Sequence, residues 1–218
     1  MAKYDLDARS RVDNSEFDTA QVEAAINRTQ GYLLGEQHKD GYWWGELESN
    51  PTMEAEFIML NHFIGLRDSH QCRKLANYIL GQQRADGTWG QYYGAPGDLS
   101  TTVECYFALK LAGVPSGLPL MIKARDFILG KGGVPATRVF TKIWLSLLSQ
   151  WRWEGVPVMP AELILLPTWS PLNIYEFSSW ARATIVPLLI LMDRKPVREV
   201  PEDAAIPELF VGDPKEVD

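Results

Sequence analysis

Two carboxylates and a guanidinium recur at related places along this chain. Glu56 follows Trp43 by 13 residues, and Glu104 follows Trp89 by 15. Arg138 falls just after a third, glycine-paired turn at Gly132-Gly133. If the segments carrying them are inner helices of one ring, acidic and basic groups converge on its interior. Charges withdrawn from water must then pair. A buried ion network that only holds the helices together is the competing reading. Metal and thiol chemistry find less support. His38, His62 and His70 lack ligand spacing, so a zinc site is not expected. Cys72 and Cys105 stand outside any Cys-x-x-Cys pair and read as reduced core thiols, which fits a reducing cytoplasm.

The elements that must position these groups come in repeats. One copy reads Tyr32-Leu33-x-x-x-Gln37-x-x-x-Gly41-x-Trp43, and the next Tyr78-Ile79-x-x-x-Gln83-x-x-x-Gly87-x-Trp89, every position displaced by 46 (78 − 32 and 89 − 43). Such a period marks stacked helix pairs. A degenerate third copy begins at Phe127-Ile128, reaches Gly132-Gly133, and lacks both glutamine and tryptophan. Physically the motif is a staple. A glutamine at a helix end can bond exposed backbone groups, while the Gly-x-Trp turn lays an indole over that end. Gln37, Trp43, Gln83 and Trp89 are therefore expected to be structural.

Asp18 with Gln21 resembles a capping box for a helix running to about Gln37. Asn50-Pro51 opens a second helix, with Met53, Phe57 and Leu60 at helical spacing and Gly65 as its stop. A third helix is predicted over 69–83. Thr101 with Glu104 reads as the box opening a fourth, ending near Gly113. Further helices are predicted at about 118–131, 137–150 and 177–192. Four prolines between Trp151 and Pro171 predict a structured connection with one short helix. No series of alternating strands occurs. The fold class is all-α, either an open solenoid or a closed α-α barrel. A polar N-terminal tail is expected over 1–17, helix pairs over 18–193, and a Pro-rich tail or linker over 194–218.

Composition excludes several classes. The chain has 218 residues, 46% hydrophobic and 22% charged, with a net charge of −7, which argues against nucleic acid as a partner. The apolar run from Ala183 to Met192 is only ten residues, short of the ~20 that cross a bilayer.

The two staples resemble the QW motif of the squalene–hopene and oxidosqualene cyclases, and more closely that of the bacterial squalene–hopene branch. The likeness extends through Asp40-Gly-Tyr-Trp-Trp-Gly45, Thr52-Met-Glu-Ala-Glu56, Arg84-Ala-Asp-Gly-Thr-Trp89, Arg138-Val-Phe-Thr141 and Asn173-Ile-Tyr-Glu-Phe-Ser-Ser-Trp-Ala-Arg182. It implies an α-α barrel of the terpenoid-cyclase kind that is incomplete in this chain. It also implies cationic cyclisation of squalene, or a similar linear isoprenoid, to a hopanoid triterpene without cofactor. Carried onto this sequence, the resemblance places Trp180 and Phe140 on the cavity wall, where an aromatic face stabilises a carbocation without attacking it. It places Glu56, Glu104, Arg138 and Trp144 in a polar cluster where water assists the terminal deprotonation. It places Phe177 and Ile185 at the constriction through which substrate enters from the membrane.

The family's acid belongs to an Asp-x-Asp-Asp motif, and no such string occurs here; Asp5-Leu-Asp7-Ala lacks the adjacent second aspartate. Protonating an alkene needs a strong, desolvated acid. The resemblance therefore implies a C-terminal remainder that supplies the acid, no activity from this chain alone, and a cytoplasmic place, peripheral or monotopic on the inner membrane within the complete enzyme. A non-catalytic isoprenoid-binding or scaffolding module is the alternative. A protein-prenyltransferase-like barrel would need zinc ligands from Asp, Cys and His, and neither cysteine is so placed.

Overall fold

Helix starts and stops follow the side chains able to satisfy free backbone groups. The computed structural model describes residues 18–45, 49–66 and 69–212. Among them lie seven α-helices: α1 (Thr19–Gly35), α2 (Thr52–Ile64), α3 (Ser69–Gly81), α4 (Leu99–Leu111), α5 (Pro119–Gly130), α6 (Val139–Leu147) and α7 (Ser179–Arg194). Asp18 caps α1 by accepting from the Ala20 N–H at 3.0 Å. Asn50 accepts from both the backbone and the hydroxyl of Thr52 at the start of α2. Gly65, left-handed at φ 79°, ends it. Beyond one isolated bridge between Gly90 and Gly97, the described residues contain no strand. The class is all-α, and the helix pairs fit a sector of an α-α barrel. The expected tail over 1–17 lies outside the described residues.

The chain forms two compact units, one ending at Glu48 and the other beginning at Ser49. In the first unit, α1 runs into the first staple. Gln37 donates to the Gly41 carbonyl at 2.8 Å, and the Trp43 indole N–H donates to the Leu33 carbonyl at 2.5 Å. No residue of α1 is buried, and Trp43 is 51% exposed.

In the second unit the same staple is drawn again. Gln83 donates to the Gly87 carbonyl at 2.9 Å, and Trp89 donates to the Ile79 carbonyl at 2.7 Å. Here the indole is fully buried, and Gln83 also reaches the Leu120 carbonyl on α5 at 3.1 Å. Gly87 is left-handed and lies so close to Lys123 that a Cβ would sit 2.4 Å from it. Glycine is required twice over there.

Helix α4 is the hub of this unit. Every residue from Ser100 to Leu111 is buried, and α2, α3, α5 and α6 all pack on it. Ser100, Thr101, Thr102, Glu104 and Lys110 are thus withdrawn from water along with its apolar residues, and buried polar groups call for partners inside the fold. Its opening differs from the expected box. Asp98 accepts from the Thr101 N–H at 2.8 Å and serves as the cap. Glu104 is thereby free to turn inward.

The structure decides one point that spacing left open and corrects one further expectation. Met53, Phe57 and Leu60 form the exposed side of α2, while Ala55, Ile58 and Met59 are buried against the core. Both sides of α2 are apolar, so spacing alone did not say which one packs. Residues 161–165, and 153–155 before them, form short 3-10 turns in place of a single helix. The Pro-rich stretch after α7 is irregular but held. Ala204, Ile206 and Leu209 are buried, and the Ile206 N–H donates to Gln150 at 2.9 Å. Gly133, at φ +70°, admits the Leu209 carbonyl at a place where a Cβ would come within 2.6 Å.

Candidate functional site

Three helices of the second unit deliver a polar cluster into this otherwise apolar setting. Glu104 projects from the middle of α4 and is fully buried. Arg138 sits at the mouth of α6, where its backbone N–H donates to the Ser100 hydroxyl at 2.9 Å and so ties α6 to α4. One guanidinium nitrogen then lies 3.3 and 3.4 Å from the two oxygens of Glu104. Thr141, three residues into α6 and fully buried, donates its hydroxyl to Glu104 Oε1. Glu56 approaches from α2, and the Trp144 indole on α6 lies close enough to favour its ionised form.

Electrostatics separate the two carboxyls. Burial raises both. At Glu104 the Thr141 hydroxyl and the Arg138 charge work against that rise. At Glu56 burial is reinforced by the Glu104 charge, and Arg138 and Trp144 offset it only in part, so its carboxyl is pushed up to about 7. A carboxyl titrating there can hold a proton or take one up near neutrality. Cys105, beside Glu104 in sequence and fully buried, has its thiol pushed well up by desolvation and is inert as a nucleophile.

All four residues expected in the polar cluster meet. Phe140 and Trp144, four residues apart, share one face of α6, and Phe140 is half-exposed. The others stand apart from the buried cluster. Trp180 lies in the first turn of α7 and is 84% exposed. Phe177 lies just before the Ser178 cap of that helix, also exposed, and Ile185 is partly buried along it.

Sequence reasoning missed Thr141 and Ser100, whose hydroxyls complete the cluster. It also missed a second charged site on α4. Lys110 is buried and donates to Glu208 Oε1 at 2.7 Å and to the Ala205 carbonyl, while the Tyr106 hydroxyl donates to the same Glu208 oxygen at 2.9 Å. The signal was present: Lys110 is a lone cation in the apolar run 105–111.

Residues 26–218 match the family model of the squalene–hopene cyclase N-terminal domain. The chain belongs to this family. Over 188 residues it is 48% identical to the squalene–hopene cyclase of Alicyclobacillus acidocaldarius, an alignment covering 86% of this chain and 30% of that protein. It is 42% identical over 193 residues to the squalene–hopene cyclase of Zymomonas mobilis, covering 88% of this chain and 29% of that one. It is also 42% identical over 189 residues to the dammaradiene synthase of Dryopteris crassirhizoma, covering 87% of this chain and 28% of that one. The chain thus spans less than a third of the length of these cyclases. Among its described residues no helix is long and apolar enough to cross a membrane.

Proposed function

We propose that this chain is the N-terminal part of a squalene–hopene-type cyclase and contributes cavity wall and a proton-accepting polar network. The substrate class is a linear isoprenoid, squalene or a close analogue. The proton that starts the cascade comes from an Asp-x-Asp-Asp acid in a C-terminal remainder. The single observation carrying the reading is the meeting of Glu56, Glu104, Arg138 and Trp144 in one apolar setting, with Glu56 poised near neutrality.

At the end of the cascade a carbon next to the last cation loses a proton. Its C–H electron pair becomes the new double bond, and a water molecule takes the proton and relays it to Glu56. Trp180 and Phe140 present exposed aromatic faces that suit cation stabilisation, each of order 1 kcal/mol or more once desolvated. Phe177 and Ile185 are assigned to substrate entry, and membrane contact belongs to the complete enzyme.

The test is complementation. Joined to, or mixed with, a C-terminal part bearing Asp-x-Asp-Asp, the chain should convert squalene to a cyclic triterpene detectable by gas chromatography and mass spectrometry. No product from a well-folded mixture would overturn the proposal. Squalene binding by the chain alone, with no product after complementation, would favour a binding or scaffolding module.

A further inference from the structure

We propose that Thr141 is a positioning residue that fixes the cluster's negative charge on Glu104 and leaves the exchangeable proton to Glu56. This deepens the cyclase reading and names a residue that reading did not require. Its test is a titration that needs no turnover, so its failure is separable from failure of the cyclase assignment.

The argument begins with donors. A threonine hydroxyl has one proton to give. Thr141 is fully buried, so no bulk water competes for that proton, and its partner is Glu104 Oε1. Arg138 covers both oxygens of the same carboxylate. Glu104 therefore receives a neutral donor and a charged one, whereas the partly exposed Glu56 carboxyl has the Trp144 indole beside it. Two carboxyls in one site ionise in sequence, and the one with the stronger donors ionises first.

The remaining charges do not reverse this order. On α4, Asp98 acts on Glu104 as a repelling carboxylate, but it is occupied by the Thr101 N–H at the helix cap. On α2, Glu56 is itself the acceptor. On α6, Arg138 acts on both carboxyls. Thr141 is the neutral donor that acts on Glu104 and not on Glu56. Its place is set by the Arg138 N–H bond to Ser100, which pins the start of α6 against α4.

The experiment follows the side-chain carboxyl carbons of glutamate-labelled protein by nuclear magnetic resonance across pH. Three forms of the 218-residue chain are compared: unmodified, Thr141→Val and Thr141→Ser. In the unmodified chain Glu104 should ionise at lower pH than Glu56. Thr141→Val keeps the shape and removes the donor. It should move the Glu104 midpoint up by about one pH unit and the Glu56 midpoint down, because a neutral Glu104 no longer repels its neighbour. Thr141→Ser keeps the donor and should restore both midpoints. A residue that merely packs would move neither, or both in one direction. The proposal is overturned if Glu56 ionises first in the unmodified chain, if Thr141→Val leaves both midpoints in place, or if Thr141→Ser behaves like valine. Should the valine form not fold, Thr141→Ala, which also removes the donor, is titrated in its place with the same shifts expected.

Discussion

Helix α4 carries two buried charges, Glu104 and Lys110, and the two sites are balanced differently. At Lys110 the ammonium, the Ala205 carbonyl, Glu208 and the Tyr106 hydroxyl match one another. That site is a clamp holding the stretch after α7 against the hub. At Glu104 the Arg138 and Thr141 donors are joined by a second carboxyl, Glu56, that they do not fully satisfy. Burying charge in a helix core therefore has two outcomes. A matched set fixes a neighbouring segment, and a set with one acid in excess has a proton to move.

Substitutions can break this contrast or sharpen it. The largest effect is expected from Lys110→Met, which takes the buried ammonium from the Ala205 carbonyl and leaves Glu208 with the Tyr106 hydroxyl. Denaturant unfolding should show a loss of about 3 kcal/mol, and limited proteolysis should cut first within 201–212. Arg138→Met should lose less, about 2 kcal/mol, because its side chain is 37% exposed and water replaces part of what it gave. Equal losses would erase the distinction between clamp and open site.

Glu56→Gln should act in the other direction, and only at higher pH. Burial raises the folded-state value of Glu56 to about 7, so between about 4.5 and 7 the folded chain holds a proton that the unfolded chain releases. Stability from this group is full at low pH and is lost as pH rises through 7. Glutamine mimics the neutral form. The variant should match the parent near pH 4.5 and exceed it at pH 8 by on the order of 1 kcal/mol, a figure discounted for partial exposure. Tyr106→Phe should have the smallest effect, about 0.5 kcal/mol in the same unfolding assay, since Glu208 keeps Lys110 as its partner.

Local geometry was legible in the sequence wherever side chains act on their own backbone. The displacement of 46 residues correctly implied one drawing made twice, and the Gln and Trp bonds of the two staples differ by only 0.1 and 0.2 Å. What did not follow was burial. Trp89 is sealed and Trp43 half-exposed although their local bonds match, because burial depends on what packs outside the motif. The face of α2 was illegible for the same reason. In the polar cluster, the charged members could be picked out by their repeat positions and by family likeness. Thr141 could not, since a threonine early in a helix has many local uses and only the packing of α6 on α4 turns its hydroxyl to Glu104.

The role of the cluster is tested most directly in the assembled cyclase, by product analysis of Glu56→Gln with squalene. If Glu56 serves the end of the cascade, the acid in the C-terminal part still starts it. Squalene should then be consumed at a comparable rate while the product mixture shifts away from the alkene formed by final proton loss. An unchanged product mixture would contradict a proton-accepting role for Glu56.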